Sequence, residues 1–149
     1  MGKKRVVEKS PEEIIKEGEK IKSRLSRKKI KALKEIKEGR VYISSSYNNT
    51  ILTLTDMKGN TIYWTSAGKM GFSGTKEGTP FAASVAARDL AQVIKEIGLE
   101  KVEVFVKGVG AGRDSALKTL GAEGINIVLI KDVTPIPHDG PRPPKVRRV

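Results

Sequence analysis

Residues 40–56 read RVYISSSYNNTILTLTD. The hydrophobic period changes here. Upstream, Ile14, Ile21, Leu25, Leu33 and Ile36 recur at roughly helical spacing through residue 37. Ser10-Pro11-Glu12-Glu13 supplies a capping residue, a proline for the first helical position and a capping-box acid. Gly39 is expected to end that helix. From Val41 the period becomes two: Val41 and Ile43 alternate with Tyr42 and Ser44, which predicts a strand. Ile51, Leu52, Thr53, Leu54 and Thr55 predict a second strand, with SSSYNNT between the two. DMKGN supplies a turn in which Gly59-Asn60 can adopt positive φ. TIYWTSAG, residues 61–68, predicts a third strand, so the run reads as an antiparallel meander.

Downstream the chain alternates helix and strand. GKMGFSGTKEG is a glycine-rich loop with two lysines and one aromatic residue. Thr79 can cap a helix that has Pro80 at its first position, and Gly98 suits its C-terminal end. Phe81, Ala82, Val85, Ala86, Leu90, Val93, Ile94 and Ile97 are expected on its apolar face. KVEVFVKG is a short strand and GVGAGR a glycine loop. RDSALKTLGAEG is a second helix, with Leu117 and Leu120 inward. INIVLIKD, residues 125–132, is an apolar strand expected to be buried on both faces. The pattern βββ-α-β-α-β predicts an α/β class: a mixed sheet of about five strands with two packed helices. The domain boundaries follow: 1–38 a basic, partly helical N-terminal extension, 39–131 the globular domain, and 132–149 a proline-rich basic arm.

Charge is distributed unevenly along these segments. The chain of 149 residues carries a formal net charge of +12. Residues 1–40 hold 15 Lys/Arg against 7 Asp/Glu, residues 41–130 hold 9 against 8, and residues 131–149 hold 5 against 2. A nearly neutral globule with basic ends points to a polyanionic partner, most simply nucleic acid. The amphipathic basic N-terminal segment also fits a membrane surface or a partner groove. Cysteine is absent, which excludes disulfides and thiolate metal sites. With one histidine, a zinc site is not expected. No apolar run approaches the roughly 20 residues that span a bilayer, and the charged, Glu-containing amino terminus resembles neither a secretory signal nor a transit peptide.

Several segments have the residues for chemistry. GVGAGR, residues 108–113, follows a strand and opens a helix, so its amides and Arg113 suit an anion. Its spacing fits neither GxGxxG nor GxxxxGK[ST], and a plain strand-to-helix turn needs the same glycines. Asp56, Asp89, Asp114 and Asp132 are the candidates for a two-metal nuclease, yet no spacing ties them together and turn or capping roles explain each. His138 stands apart from any triad-like pattern. Tyr47, Asn48 and Asn49 put an aromatic ring and two amides in one polar loop. Lys69, Phe72, Thr75 and Lys76 repeat that mix before Thr79. Such groups stack on and hydrogen-bond unpaired bases. Three classes therefore compete: a structural RNA binder, a nuclease, and an adaptor whose PRPPKVRR segment fills a proline-recognition groove.

Four stretches narrow the choice. SSYNNTILTLTD, WTSAGKMGFSGTKEGTPFAA, VKGVGAGRDSAL and IKDVTPIPHDGPRPPKVRRV resemble, in this order, universal small-subunit ribosomal protein eleven of the bacterial type. The resemblance runs from about Ser26 to Val149. It implies a ribonuclease-H-like topology without nuclease activity, no cofactor and no metal. It implies a cytoplasmic protein of the ribosome that braces small-subunit rRNA on the platform, near the exit site and the path of exiting mRNA. The implied partners are the rRNA and small-subunit proteins seven, eighteen and twenty-one. RNA contacts are expected at Tyr47, Asn48, Asn49, Lys69, Phe72, Thr75, Lys76, Gly110, Gly112, Arg113, Lys118, His138, Arg142, Lys145, Arg147 and Arg148. The chain departs from the family pattern at Val109, Ala111, Asp139 and Val146.

Overall fold

A computed structural model describes residues 36–145. The helix expected over residues 10–37 lies outside them except for Ile36 and Lys37, which are irregular. The elements are β1 (Glu38–Ser45), β2 (Thr50–Asp56), β3 (Thr61–Ser66), a short 3₁₀ helix (Gly74–Gly78), α1 (Pro80–Ile97), β4 (Lys101–Gly108), α2 (Gly112–Ala122) and β5 (Ile127–Asp132). Gly39 does not terminate a helix. It is a ladder residue of β1, paired with Asp56 on one side and Val102 on the other.

The sheet is mixed, in the order β3-β2-β1-β4-β5. β1 to β3 form the expected meander, and β4 and β5 continue the sheet parallel to β1. β2 thus runs against the other four strands, as in a ribonuclease-H-like topology. α1 packs over β2 and β3, α2 over β1 and β4, and the helices pack against each other. Both therefore cover one face of the sheet.

Alternation explains which face. Val41 and Ile43 of β1, Leu52 and Leu54 of β2, and Val102, Val104 and Val106 of β4 are buried beneath the helices. α1 adds Leu90, Val93, Ile94 and Ile97 with buried Ala82, Ala83, Ala86, Ala87 and Ala91, whose small side chains let the helix approach closely. Leu90 and Leu120 are fully buried, each contributing about 1.5–3 kcal/mol of transfer free energy. No helix among the described residues covers the opposite face. Trp64, Thr53, Tyr42, Phe105 and Lys131 lie side by side there in one row across all five strands, as the strand registers dictate.

Helix ends follow the local signals. Thr79 Oγ1 accepts from Ala82 N at 3.3 Å, Pro80 occupies the first turn, and Gly98 closes α1 at φ 85° with its N–H on Ile94 O. α2 has no side-chain cap. Besides Gly39, two expected positions differ. β5 is not buried on both faces: it is an edge strand, and Val128, Leu129 and Ile130 are exposed. Neither helix extends over it, because α2 sits on β1 and β4. Phe81 does not join the apolar face of α1. It is 68% exposed at the first turn, where its ring meets Phe72 edge-on at 5.9 Å.

Candidate nucleic-acid interface

Parallel strands β1 and β4 both end at one edge of the sheet, and the loops singled out from sequence gather there. The β1–β2 loop is a tight turn held by Ser46: its N–H meets Asn49 O at 2.9 Å and its hydroxyl accepts from Asn49 N at 3.1 Å. That turn leaves Tyr47 76% exposed. The backbone of Tyr47 and Asn48 lies directly against Gly78, where no Cβ fits. The side-chain oxygen of Asn49 is buried without a hydrogen-bond partner. Ala67 N donates to Thr50 O at 3.2 Å, tying the β3–α1 loop to the same turn. Ser115 Oγ donates to Pro80 O at 3.0 Å and so links the starts of α1 and α2. One edge thus presents three loops and the N-termini of both helices, the end of an open α/β sheet where ligands generally sit.

The individual side chains differ in what they do. Thr75 and Lys76 are exposed on the 3₁₀ helix, and Lys76 O accepts the Thr79 hydroxyl at 2.7 Å. Phe72 is half-buried against Phe81. Lys69 Nζ donates to Trp64 O at 2.7 Å and Tyr63 Oη at 3.1 Å, and stands over the rings of both residues. Tyr63 Oη donates to Asp89 at 2.8 Å. Burial, then the Asp89 carboxylate, push the Tyr63 hydroxyl well above the ordinary tyrosine range. Lys118 is exposed on α2, six residues beyond its start, or about 9 Å along the axis.

The glycine loop after β4 is built into the fold. Gly108 has φ 101°, and a Cβ on Gly108 or Gly110 would run into the backbone of Ser45 and Ser46. Gly110 N donates to Ser45 O at 3.0 Å and Gly108 N to Thr134 Oγ1 at 3.1 Å. Those two amides already have partners within the fold, which favours the structural turn over an anion nest. Gly112 is buried against Thr50 and Ala83.

Arg113 forms the knot of the site. Its guanidinium donates to Gly108 O at 3.0 Å, Thr134 Oγ1 at 3.4 Å and Asp132 Oδ2 at 2.6 Å. Thr134 closes the loop by donating through N and Oγ1 to Asp132 Oδ1 at 2.9 and 2.7 Å. The Thr134 hydroxyl and then Arg113 hold the Asp132 carboxyl far below the usual carboxylate range. The sequence did not single out this anchor, whose partners are 19 and 21 residues apart. Its one local signal is Asp132-Val133-Thr134, the Asx-type spacing that lets a carboxylate hold a hydroxyl two residues on.

Beyond the anchor, residues 135–145 have no regular secondary structure, and His138, Arg142 and Lys145 are exposed. Arg147 and Arg148 lie outside the described residues. The four acids serve separate places: Asp56 holds Asn60 through N and Nδ2, both at 2.8 Å, Asp89 accepts from Tyr63, Asp132 belongs to the anchor, and Asp114 lies in the first turn of α2.

Comparison with known proteins decides the family. The model of the family described as ribosomal protein S11 matches residues 39–148. This chain belongs to the ribosomal protein S11 family. Its relatives include proteins named small ribosomal subunit protein uS11 from Caldicellulosiruptor saccharolyticus and Caldicellulosiruptor bescii. Each is 57% identical over 116 residues, covering 78% of this chain and 89% of the relative. The S11 match spans the sheet from the second residue of β1, both helices and nearly all of the arm. Membership makes the chain a ribosomal protein of the small subunit with a structural role in translation. No helix among the described residues is long and apolar enough to cross a membrane.

Proposed function

We propose that this protein braces folded rRNA on the platform of the small subunit, near the exit site and the path of exiting mRNA, and catalyses nothing. The observation that carries the reading is the convergence of three polar loops and two helix starts at one sheet edge, from which the anchored basic arm departs. The edge offers the exposed Tyr47, Asn48, Thr75 and Lys76, with the half-buried Asn49 behind them, to unpaired bases and backbone. Arg142, Lys145, Arg147 and Arg148 of the arm, with the basic residues before β1, displace counterions from phosphates. Lys69, Phe72, Gly110, Gly112, Arg113, Lys118 and His138 complete the proposed contact surface, with Arg113 and the glycines acting chiefly by shaping it. Small-subunit proteins seven, eighteen and twenty-one are the proposed protein neighbours, and the cytoplasm the proposed compartment.

The test is binding of purified protein to a small-subunit rRNA transcript across a salt series. Truncation after Pro135 keeps Thr134 and the anchor while removing four arm cations. It is expected to leave the melting temperature unchanged. The slope of log K against log salt should become shallower by about 3, at roughly 0.7–0.9 per phosphate contact. An unchanged slope refutes the arm's role, and a full-length protein that does not bind the transcript refutes the whole reading.

A further inference from the structure

The open sheet face has a composition that the fold does not require. Across its middle run Trp64, Thr53, Tyr42, Phe105 and Lys131 in consecutive strand registers. Tyr42 and Phe105 stack with centroids 5.1 Å apart, and the Arg40 guanidinium stands 5.8 Å from the Phe105 centroid. Arg40 is held there by Glu103 at 2.9 Å, which balances the one acid in this cluster. Trp64 is 52% exposed and Tyr42 36%. Lys107, next to Ser44 in register, and Lys131 add exposed cations on the β4–β5 side.

A contiguous row of exposed rings on a sheet, unlike scattered apolar residues, marks a surface that something covers. Two kinds of partner use aromatic surface. Protein interfaces surround it with apolar area and are depleted in lysine at their centres. Nucleic-acid platforms interleave rings with hydroxyls and place cations beside them for phosphates. This row has the hydroxyl and the flanking cations of the second kind, while the rows on either side of it also expose Ile51 and Leu129. Thr53, a short side chain, separates Trp64 from Tyr42, whose strands lie two spacings apart, about 9.5 Å. A base held upright between two rings needs two van der Waals separations, about 7–8 Å, so strands about 9.5 Å apart leave room for one.

We infer that the open face is a second RNA surface, distinct from the loop edge, on which an unpaired RNA segment stacks its bases along Trp64, Tyr42 and Phe105. One base sits over Thr53 and the phosphates lie toward Lys107 and Lys131. This rests on the RNA-bracing reading above and extends it to a different face of the sheet.

Trp64 is the chain's single tryptophan, so its emission reports on the open face and on Lys69, which stands over its ring; the Tyr42 and Lys131 variants separate the two. Full-length protein is titrated with a short oligoadenylate and, separately, with an RNA duplex of equal charge. Quenching is expected with the single strand and not with the duplex. Tyr42→Ala should weaken single-strand affinity roughly tenfold or more, and Lys131→Gln should make its salt slope shallower by about 0.7; circular dichroism confirms that both variants fold. If the protein binds rRNA transcript while Trp64 is unquenched by single strands, this inference fails and the bracing role stands. If it binds no RNA at all, both fail. If Trp64 emission instead responds, without RNA, to protein concentration or to an added small-subunit protein, the face belongs to a protein partner and the inference is overturned.

Discussion

Gly110 is buried where the β4–α2 turn crosses the end of β1. Replacing it with alanine should cost more than any exposed change in the domain. An added Cβ would press on the Ser46 carbonyl oxygen and the Ser45 hydroxyl. The backbone cannot step away freely, because Gly110 N donates to Ser45 O at 3.0 Å. Overpacking a tight site costs about 1–3 kcal/mol, and losing a backbone hydrogen bond adds about 1 kcal/mol. Gly110→Ala is therefore expected to destabilise by about 3 kcal/mol, which lowers the melting temperature by about 10–20 °C for a domain of this size. Gly121→Ala is the matched control. Nothing lies within 4 Å of its Cβ position, and a helical glycine gives way to alanine with a gain of about 0.5–1 kcal/mol. Thermal melts by far-ultraviolet circular dichroism should move in opposite directions for the two. A Gly110→Ala protein that melts with the parent would refute the claim that this loop is glycine-rich for packing. It would return the loop to the anion-binding reading.

Further outcomes follow from the caps and the anchor. Thr79→Ala removes the acceptor for Ala82 N and should cost about 1 kcal/mol, read as an earlier denaturation midpoint at unchanged slope. Leu120→Ala opens a cavity under α2 and should cost about 2–5 kcal/mol by the same measurement. Asp132 is an acid whose folded pKa is depressed, so its contribution is present above the ordinary carboxylate range and is lost as pH falls through the lowered value. The Thr134 amide resonance should hold its position through pH 4, the region where a free aspartate titrates, and shift only under more acidic conditions. A shift centred near the ordinary aspartate value would show that the anchor is not formed in solution.

Much of the fold was legible because its signals are local. The change to period two at Val41 located the meander, and Thr79, Pro80 and Gly98 bounded α1 within a residue. Other features depend on partners far along the chain. An apolar run such as INIVLIKD looks alike in the middle of a sheet and at its edge. Its place is set by β4 pairing beside β1, which leaves β5 outermost and beyond the reach of α2. Phe81 has the spacing of a core residue, but the first turn of α1 carries it to the loop edge, where Phe72 receives it. The loop residues are legible one by one as rings, amides and cations in glycine-rich or polar loops, while their convergence needs the sheet. The aromatic row was half-visible: Tyr42, Trp64 and Phe105 occupy the polar phase of their strands, but only the registers align them.

Under the proposed rRNA-bracing role, the Arg113–Asp132–Thr134 knot also sets how the arm searches for its target. Residues 135–145 leave from a fixed point and, if extended like polyproline, reach about 34 Å at 3.1 Å per residue. Once the globule is docked, binding by the arm is a unimolecular event with an effective concentration set by that short, stiff tether. The same sequence as a free peptide must find its site from bulk solution. Its weakness in isolation would measure the tether, and a knot-breaking substitution would dilute the arm without altering a single charge on it.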